Sequence, residues 1–457
     1  MQRVLDYLNQ RREDHLEWAM ELCRIPSVST QDKHKADVRR AVEWTRDLCR
    51  RAGLKATIYD TPRHPLVYAE WLGAGAGAPT YLVYGHVDVQ PEGDRKLWDA
   101  DPFEPVVKDG WLIARGSSDD KGQVLLYLRA AEAWLKTEAK LPINLKLLIE
   151  GEEEIGSPNL APFVQKHKDQ LACDGILISD TGLWEDGLPT ITAGTRGLCY
   201  KEVRLSGPRH NLHSGSHGGP VTNPANALAR LIESLHDPDG RVNVPGFYDD
   251  VVDPTPAERA AAKALPFDEM KYAGELGVPG FGGGEPAYTL NERRSVRPTL
   301  DVNGLYGGYM DEGASTVIPA MAGAKISMRL VPNQRGADIS ARFERTIRER
   351  CPASVRCEIL DHAHADAYMT PGDWPAIAAA KQALRDAFGR EAVIIREGGS
   401  LPILPMFKQA LGADSLMLGF ASPTCNAHGP NERVLLADLD RGAEAVTRLF
   451  ERLAVRS

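Results

Sequence analysis

The sequence predicts an α/β protein: a discontinuous domain on a mostly parallel sheet covered by helices, with a smaller α+β domain of the ferredoxin-like type inserted into it. Three observations predict this. The chain has 457 residues, more than one hydrophobic core serves, since single cores stop growing near about 250–300 residues. From Val67 to Ile178, short apolar β-prone runs alternate with helical periodicity, the pattern of parallel strands buried between helices. After Gly194-Thr195-Arg196-Gly197 the pattern changes, and near the C-terminus it changes back. The expected division is 1–197 and 364–457 for the first domain and 198–363 for the inserted one.

Each element has its own reason. Residues 1–50 read as two amphipathic helices, broken at Arg24-Ile25-Pro26-Ser27-Val28-Ser29 by proline and serines. Strands are expected at Val67–Trp71, at Tyr81–Tyr84 ending in Gly85-His86, at Leu145–Ile149 and at Ile176–Ile178. Val124, Leu125, Leu128, Ala131 and Leu135 mark a helix over Lys121–Leu135. In the inserted domain the order is strand (Leu198–Leu205), helix (Pro224–Leu235, Asn223 as N-cap), a long Gly/Pro-rich stretch, strand (Ala324–Leu330), helix (Ile339–Arg350) and strand (Ser354–Leu360). Helix Trp374–Phe388, strand Ala392–Arg396 and helix Leu436–Leu453 resume the first pattern.

Composition narrows the function. With 43% hydrophobic and 26% charged residues the chain can bury a core, which rules out wholesale disorder. No apolar run approaches the roughly 18 residues that span a bilayer, so no membrane partner is expected. The N-terminal segment mixes charge with apolar residues and lacks the apolar stretch of an export signal. Seven cysteines without a Cys-x-x-Cys pair argue against a disulfide framework or a thiolate zinc site. A cytoplasmic location is the expectation. The net charge of -9, without a dense Lys/Arg cluster, makes nucleic acid a poor partner.

Ligands in open α/β sheets sit beyond the carboxyl ends of the strands, and here those ends carry acids and a histidine. His86 and Asp88, two residues apart on an extended segment, point to one side, so one can ligate a metal while the other orients it. Glu152-Glu153-Glu154 follows the Leu145–Ile149 strand, and Asp180 follows Ile178. The loop Gly116-Ser117-Ser118-Asp119-Asp120-Lys121-Gly122 opens a helix with two acids. Each feature alone has an ordinary reading: a helix cap for Asp180, a solvated face for the three glutamates, a core histidine for His86. Together they differ, because like charges packed at one sheet edge repel unless a cation is present. Carboxylates with imidazole and no thiolate suit Zn2+, Mn2+ or Co2+. Two further segments carry histidines, the glycine-rich loop with His213 and His217 and the turn-rich stretch with His428. A flexible polar loop and a surface histidine are their ordinary readings.

The motifs Gly85-His86-Val87-Asp88-Val89-Gln90-Pro91, Arg115-Gly116-Ser117-Ser118-Asp119-Asp120-Lys121-Gly122, Glu150-Gly151-Glu152-Glu153-Glu154-Ile155-Gly156-Ser157, Leu212-His213-Ser214-Gly215, Thr316-Val317-Ile318-Pro319, Met328-Arg329-Leu330-Val331-Pro332-Asn333, Arg396-Glu397-Gly398-Gly399-Ser400 and His428-Gly429-Pro430-Asn431-Glu432 run in this order along nearly the whole chain. In this the sequence resembles the di-metal exopeptidase family of carnosinases, cytosolic non-specific dipeptidases, acetylornithine deacetylase, succinyl-diaminopimelate desuccinylase and glutamate carboxypeptidase. The carnosinase and non-specific dipeptidase branch is the better match.

The resemblance implies two divalent ions per subunit, Zn2+ first, with Mn2+ or Co2+ as alternatives. His86 and Asp180 would hold one ion, Glu154 and His428 the other, and Asp119 would bridge them across a cis Asp119–Asp120 peptide. Asp88 would orient His86. Glu153 would be the general base toward a water bridging the cations. The inserted domain would act as a lid and form a homodimer, His213 reaching the partner's site to stabilise the oxyanion. Thr316 would join it, while Arg329, Ser400 and the backbone at Gly399 would hold the substrate's free carboxylate. The implied activity is hydrolysis of dipeptides or short peptides. The alternative is an N-acyl-amino-acid deacylase or carbamoyl-amino-acid amidohydrolase with the same ions.

Overall fold

A computed structural model of the chain describes residues 1–455. It divides into two compact units, one made of Met1–Ala193, Thr370–Ile395 and Met406–Ser457, the other of Gly194–Met369 and Arg396–Pro405.

The first unit is built on a sheet in which Lys55–Tyr59, Leu66–Trp71, Asn144–Glu150, Thr80–His86, Gly175–Ile178 and Asp414–Met417 lie side by side in that order. Thr80–His86 is parallel to both of its neighbours, and Asp414–Met417 is parallel to Gly175–Ile178. Leu66–Trp71 and Lys55–Tyr59 close one side antiparallel. The central strands are buried almost throughout, because both faces are covered. Helix Lys121–Glu138 supplies much of that cover, with Val124, Leu125, Leu128 and Ala131 inside one core with Leu449 and Phe450 of helix Leu436–Leu453. Register brings the carboxyl ends of the parallel strands to a common edge: His86 pairs with Glu150, and Ile178 pairs with both Tyr84 and Met417.

Two expectations need revision here. The N-terminal region forms three helices, Gln2–Gln10, Arg12–Cys23 and Lys35–Arg51, because the chain breaks at Arg11 as well as after Cys23. The strands Lys55–Tyr59 and Asp414–Met417 were not anticipated. The first is a half-exposed edge and the second is four residues long and opens with Asp414-Ser415, so neither carries a strong apolar period.

The second unit is an antiparallel sheet in the order Thr299–Gly307, Met321–Leu330, Gly197–Ser206, Arg356–Ala365. Helices Pro224–Glu233 and Gly336–Arg350 connect these strands, and Leu228, Leu231, Ile339, Phe343 and Ile347 form a core with Cys199, Val203 and Leu205. Strand, helix, two strands, helix and strand, with that sheet order, make the ferredoxin-like arrangement. The Thr299–Gly307 strand lies in the stretch read from sequence only as Gly/Pro-rich, where no strand was expected. It is an edge strand, its register slips between Val302 and Gly304, and it ends at Gly307 with φ 126°. Bulge and glycines hide its period. Asn223 does cap helix Pro224–Glu233, accepting a hydrogen bond from the Ala225 N–H. Among the described residues no helix is long and apolar enough to cross a membrane.

Candidate metal centre

Five side chains of the first unit, one from a strand end and four from separate loops, converge beyond the parallel strands. His86 ends its strand, Asp119 precedes the helix Lys121–Glu138, Glu154 lies in the short turn Glu153–Ile155, Asp180 follows Gly175–Ile178, and His428 stands in the loop before Arg433–Leu435. Their donor atoms form two groups, His86 with Asp119 and Asp180, and Asp119 with Glu154 and His428, each within 4.8 Å. Asp119 belongs to both. One of its carboxylate oxygens lies 3.0 Å from His86 Nε2, the other 3.0 Å from His428 Nε2. His86 Nε2 is also 3.8 Å from Asp180, and His428 Nε2 is 3.4 Å from Glu154. The Asp119–Asp120 peptide bond is cis.

The supporting contacts are specific. His86 Nδ1 lies 3.0 Å from the Asp88 backbone carbonyl and 3.4 Å from its carboxylate, which leaves Nε2 facing the acids. The Asp88 carboxylate also accepts the backbone N–H groups of Glu153 and Glu154 at 3.2 and 3.0 Å. One buried acid thus orients a histidine and pins the turn that carries two glutamates. Gln90 donates to the Glu154 carboxylate at 2.8 Å.

Electrostatics at this edge strain against burial. Burial pushes the Asp180 carboxyl up to about 7, with Asp119 adding to the rise. Burial pushes Glu153 up to about 9, and the charges of Asp180, Asp88 and Glu154 act the same way while His86 opposes them. Burial also works against charge on Asp119, yet hydrogen bonds from His428 and His86 hold its carboxyl well below the usual range. His428 is raised to about 10 by its hydrogen bonds to Asp119 and Glu154. Three carboxylates and two imidazoles, with one carboxylate turned both ways, are the donor set that a pair of divalent cations needs. Glu153 belongs to neither donor group, although it neighbours Glu154.

Comparison with known proteins agrees. Residues 82–452 match the model of peptidase family M20/M25/M40. The chain belongs to this family. It is 30% identical to the Beta-Ala-His dipeptidase of Homo sapiens, covering 99% of this chain and 93% of that protein. It is also 30% identical to the Cys-Gly metallodipeptidase of Schizosaccharomyces pombe, over 86% of this chain and 84% of that one. The solved M20 family metallo-carboxypeptidase Sso-CP2 from Sulfolobus solfataricus superposes with a TM-score of 0.86 at 31% identity, covering 96% of this chain and 99% of that one. This M20/M25/M40 member is a metal-dependent peptidase, and the centre described above is its candidate di-metal site.

Other residues singled out in the sequence lie in the second unit, where they form two separate groupings. His213 pairs with Val317, beside Thr316, whose carbonyl accepts the Ser214 N–H at 2.9 Å. His213 is exposed, and its Nδ1 accepts from Gly215 and Ser216 at 3.1 and 3.3 Å. That leaves Nε2 free of the turn. His217, exposed, ends the short helix Ser214–His217 that His213 caps. Elsewhere in this unit Arg329 donates to the Ser400 hydroxyl at 2.8 Å, and the Gly399 carbonyl accepts the Arg196 N–H at 3.0 Å. The Arg196 side chain holds the Gly398 carbonyl at 2.9 Å. Sequence reasoning gave no role to Arg196, Gln90, Arg115 or Glu432, although all four stand inside or beside quoted motifs. Arg115 and Glu432 stand within the quoted motifs, which was the signal available, but that they are buried against each other is visible only in the fold.

Proposed function

We propose that this protein is a metal-dependent dipeptidase, hydrolysing the amide bond of dipeptides or short peptides that carry a free C-terminal carboxylate. The observation that carries the reading is Asp119 facing an imidazole with each oxygen, beside Glu153, an acid left out of the donor groups. His86, Asp119 and Asp180 would hold one divalent cation and Asp119, Glu154 and His428 a second, Zn2+ first and Mn2+ or Co2+ as alternatives, together supplying Lewis acidity that lowers the pKa of water and polarises the amide carbonyl. Glu153 takes the proton of the attacking water and delivers it to the leaving amine nitrogen.

Arg329 and Ser400, already hydrogen-bonded to each other, recognise the substrate carboxylate with the backbone at Gly399. His213, with Thr316, stabilises the developing oxyanion from the partner of a homodimer formed through residues 198–363, which would act as the lid. The two dipeptidases to which the chain is similar support this substrate class, and a cytoplasmic location is part of the same proposal.

The similarity to a metallo-carboxypeptidase favours a second reading, release of the C-terminal residue from longer peptides. A panel of dipeptides, tri- to pentapeptides, and acetyl-, succinyl- and carbamoyl-amino acids separates the cases. We expect turnover greatest on dipeptides. Turnover of acyl or carbamoyl substrates with none of peptides would overturn the proposal.

A further inference from the structure

We propose that the buried ion pair Arg115–Glu432 is a positioning device for the cation centre, fixing the loops of Asp119 and His428 to each other so that the ion held by Asp119, Glu154 and His428 depends on it. The inference rests on the reading of that centre as a cation site.

Glu432 is fully buried and its carboxylate accepts hydrogen bonds from five donors of one loop. One oxygen takes Arg115 at 2.7 Å and the Gly116 N–H at 2.8 Å. The other takes the Ser118 N–H and hydroxyl, both at 3.0 Å, and the Asp119 N–H at 3.1 Å. The backbone of the bridging aspartate is therefore hung from a side chain four residues beyond His428. Arg115 completes the connection, donating to the Pro91 carbonyl at 3.2 Å and to the Gly429 carbonyl at 3.1 Å. One guanidinium thus ties the segment after His86, the segment after His428 and the loop of Asp119. Arg115 and Glu432 are each 1% exposed at the side chain. A buried ion pair of this kind is a weak source of stability but defines geometry sharply, because its partners cannot be satisfied in any other arrangement.

The dependence is unequal for the two ions. His86 sits in a fully buried strand end and its Nδ1 is held by Asp88, so its position does not require Glu432. His428 lies in a loop where Asn426, His428 and Asn431 all have left-handed backbone, with φ of 54, 62 and 55°. Asparagine and histidine tolerate that conformation better than other side chains, yet three such residues within six positions need surroundings that hold them. Here the surroundings are Arg115 on Gly429, the Asp99 N–H on the Asn431 side chain at 2.9 Å, and Glu432. With the carboxylate gone, the loop relaxes and His428, already 57% exposed at its side chain, leaves first.

The test is titration of Zn2+ and of Mn2+ into chelator-stripped full-length protein, comparing wild type with Glu432→Gln and Arg115→Lys. Gln keeps the volume but turns an amide toward N–H donors, and Lys keeps the charge but cannot reach both carbonyls. Two ions are expected for wild type. In each variant the ion held with His428 should weaken at least ten-fold and the other, which shares Asp119 but keeps His86 and Asp180, by less, and the electron paramagnetic resonance of the Mn2+ form should change from a coupled pair to a single ion. Thermal midpoints without cations report the merely structural effect. Two ions of unchanged affinity in both variants, or an equal weakening of both ions, would overturn the proposal. A wild type that binds no divalent ion would instead sink the cation reading itself, and this inference with it.

Discussion

Glu153 and Glu154 are adjacent in sequence, yet only Glu154 joins a donor group, and that division is what gives the site a base as well as ligands. Glu153→Gln should therefore lower kcat by about 10²–10⁴-fold while leaving cation content, measured by elemental analysis, at the wild-type level; loss of metal with retained activity would contradict the assignment. His213→Ala should lower kcat with little change in cation affinity, because His213 lies in the other unit from the donors. His15 offers a prediction away from the centre. It is buried with Nε2 2.9 Å from Glu132, and burial lowers its pKa, with Glu132 only partly opposing. The unfolded chain then takes up a proton before the folded one, so stability falls as pH drops below about 6.5. Urea midpoints at pH 5.5 and 7.5 should differ less in His15→Gln than in wild type.

At the scale of elements, the precision of the site depends on how helix Lys121–Glu138 begins. A Cβ on Gly122 would overlap the Ser117 carbonyl, in the loop that carries Asp119. Gly122→Ala should cost about 1–3 kcal/mol of stability, read from denaturant midpoints, and should depress activity as well, because the loop must move. The long buried strands and the amphipathic helices were legible because their signal lies in neighbours along the chain: Tyr81-Leu82-Val83-Tyr84 and Ile176-Leu177-Ile178 are short, apolar, rich in β-prone residues and bounded by turn formers, which reads as inner strands. Thr299–Gly307 and Asp414–Met417 were not legible. Their pairing is decided by the strand beside them, and their own residues, glycine at a bulge or Asp414-Ser415 at a start, carry little of the signal.

At the scale of the molecule, the reading as a di-metal hydrolase predicts that a strong chelator abolishes activity and lowers the thermal midpoint. Zn2+ or Mn2+ should restore both, since an ion that binds only the folded state stabilises it by mass action. Light scattering should give twice the chain mass if residues 198–363 form the proposed homodimer.

The sequence by itself determined the buried runs, the two-part division of the pattern and the residue types at the strand ends. A resemblance carried by motifs then supplied roles for His86, Asp119, Glu153, Glu154, Asp180 and His428. Only the tertiary structure decided that Asp119 presents one oxygen to each histidine, that Asp88 serves both His86 and the glutamate turn, and that Glu432 suspends the Asp119 loop. Periodicity is a property of neighbouring residues. Convergence of side chains more than 300 positions apart, as in the Asp119 N–H bond to Glu432, is a property of sheet register and loop closure, which no local stretch encodes.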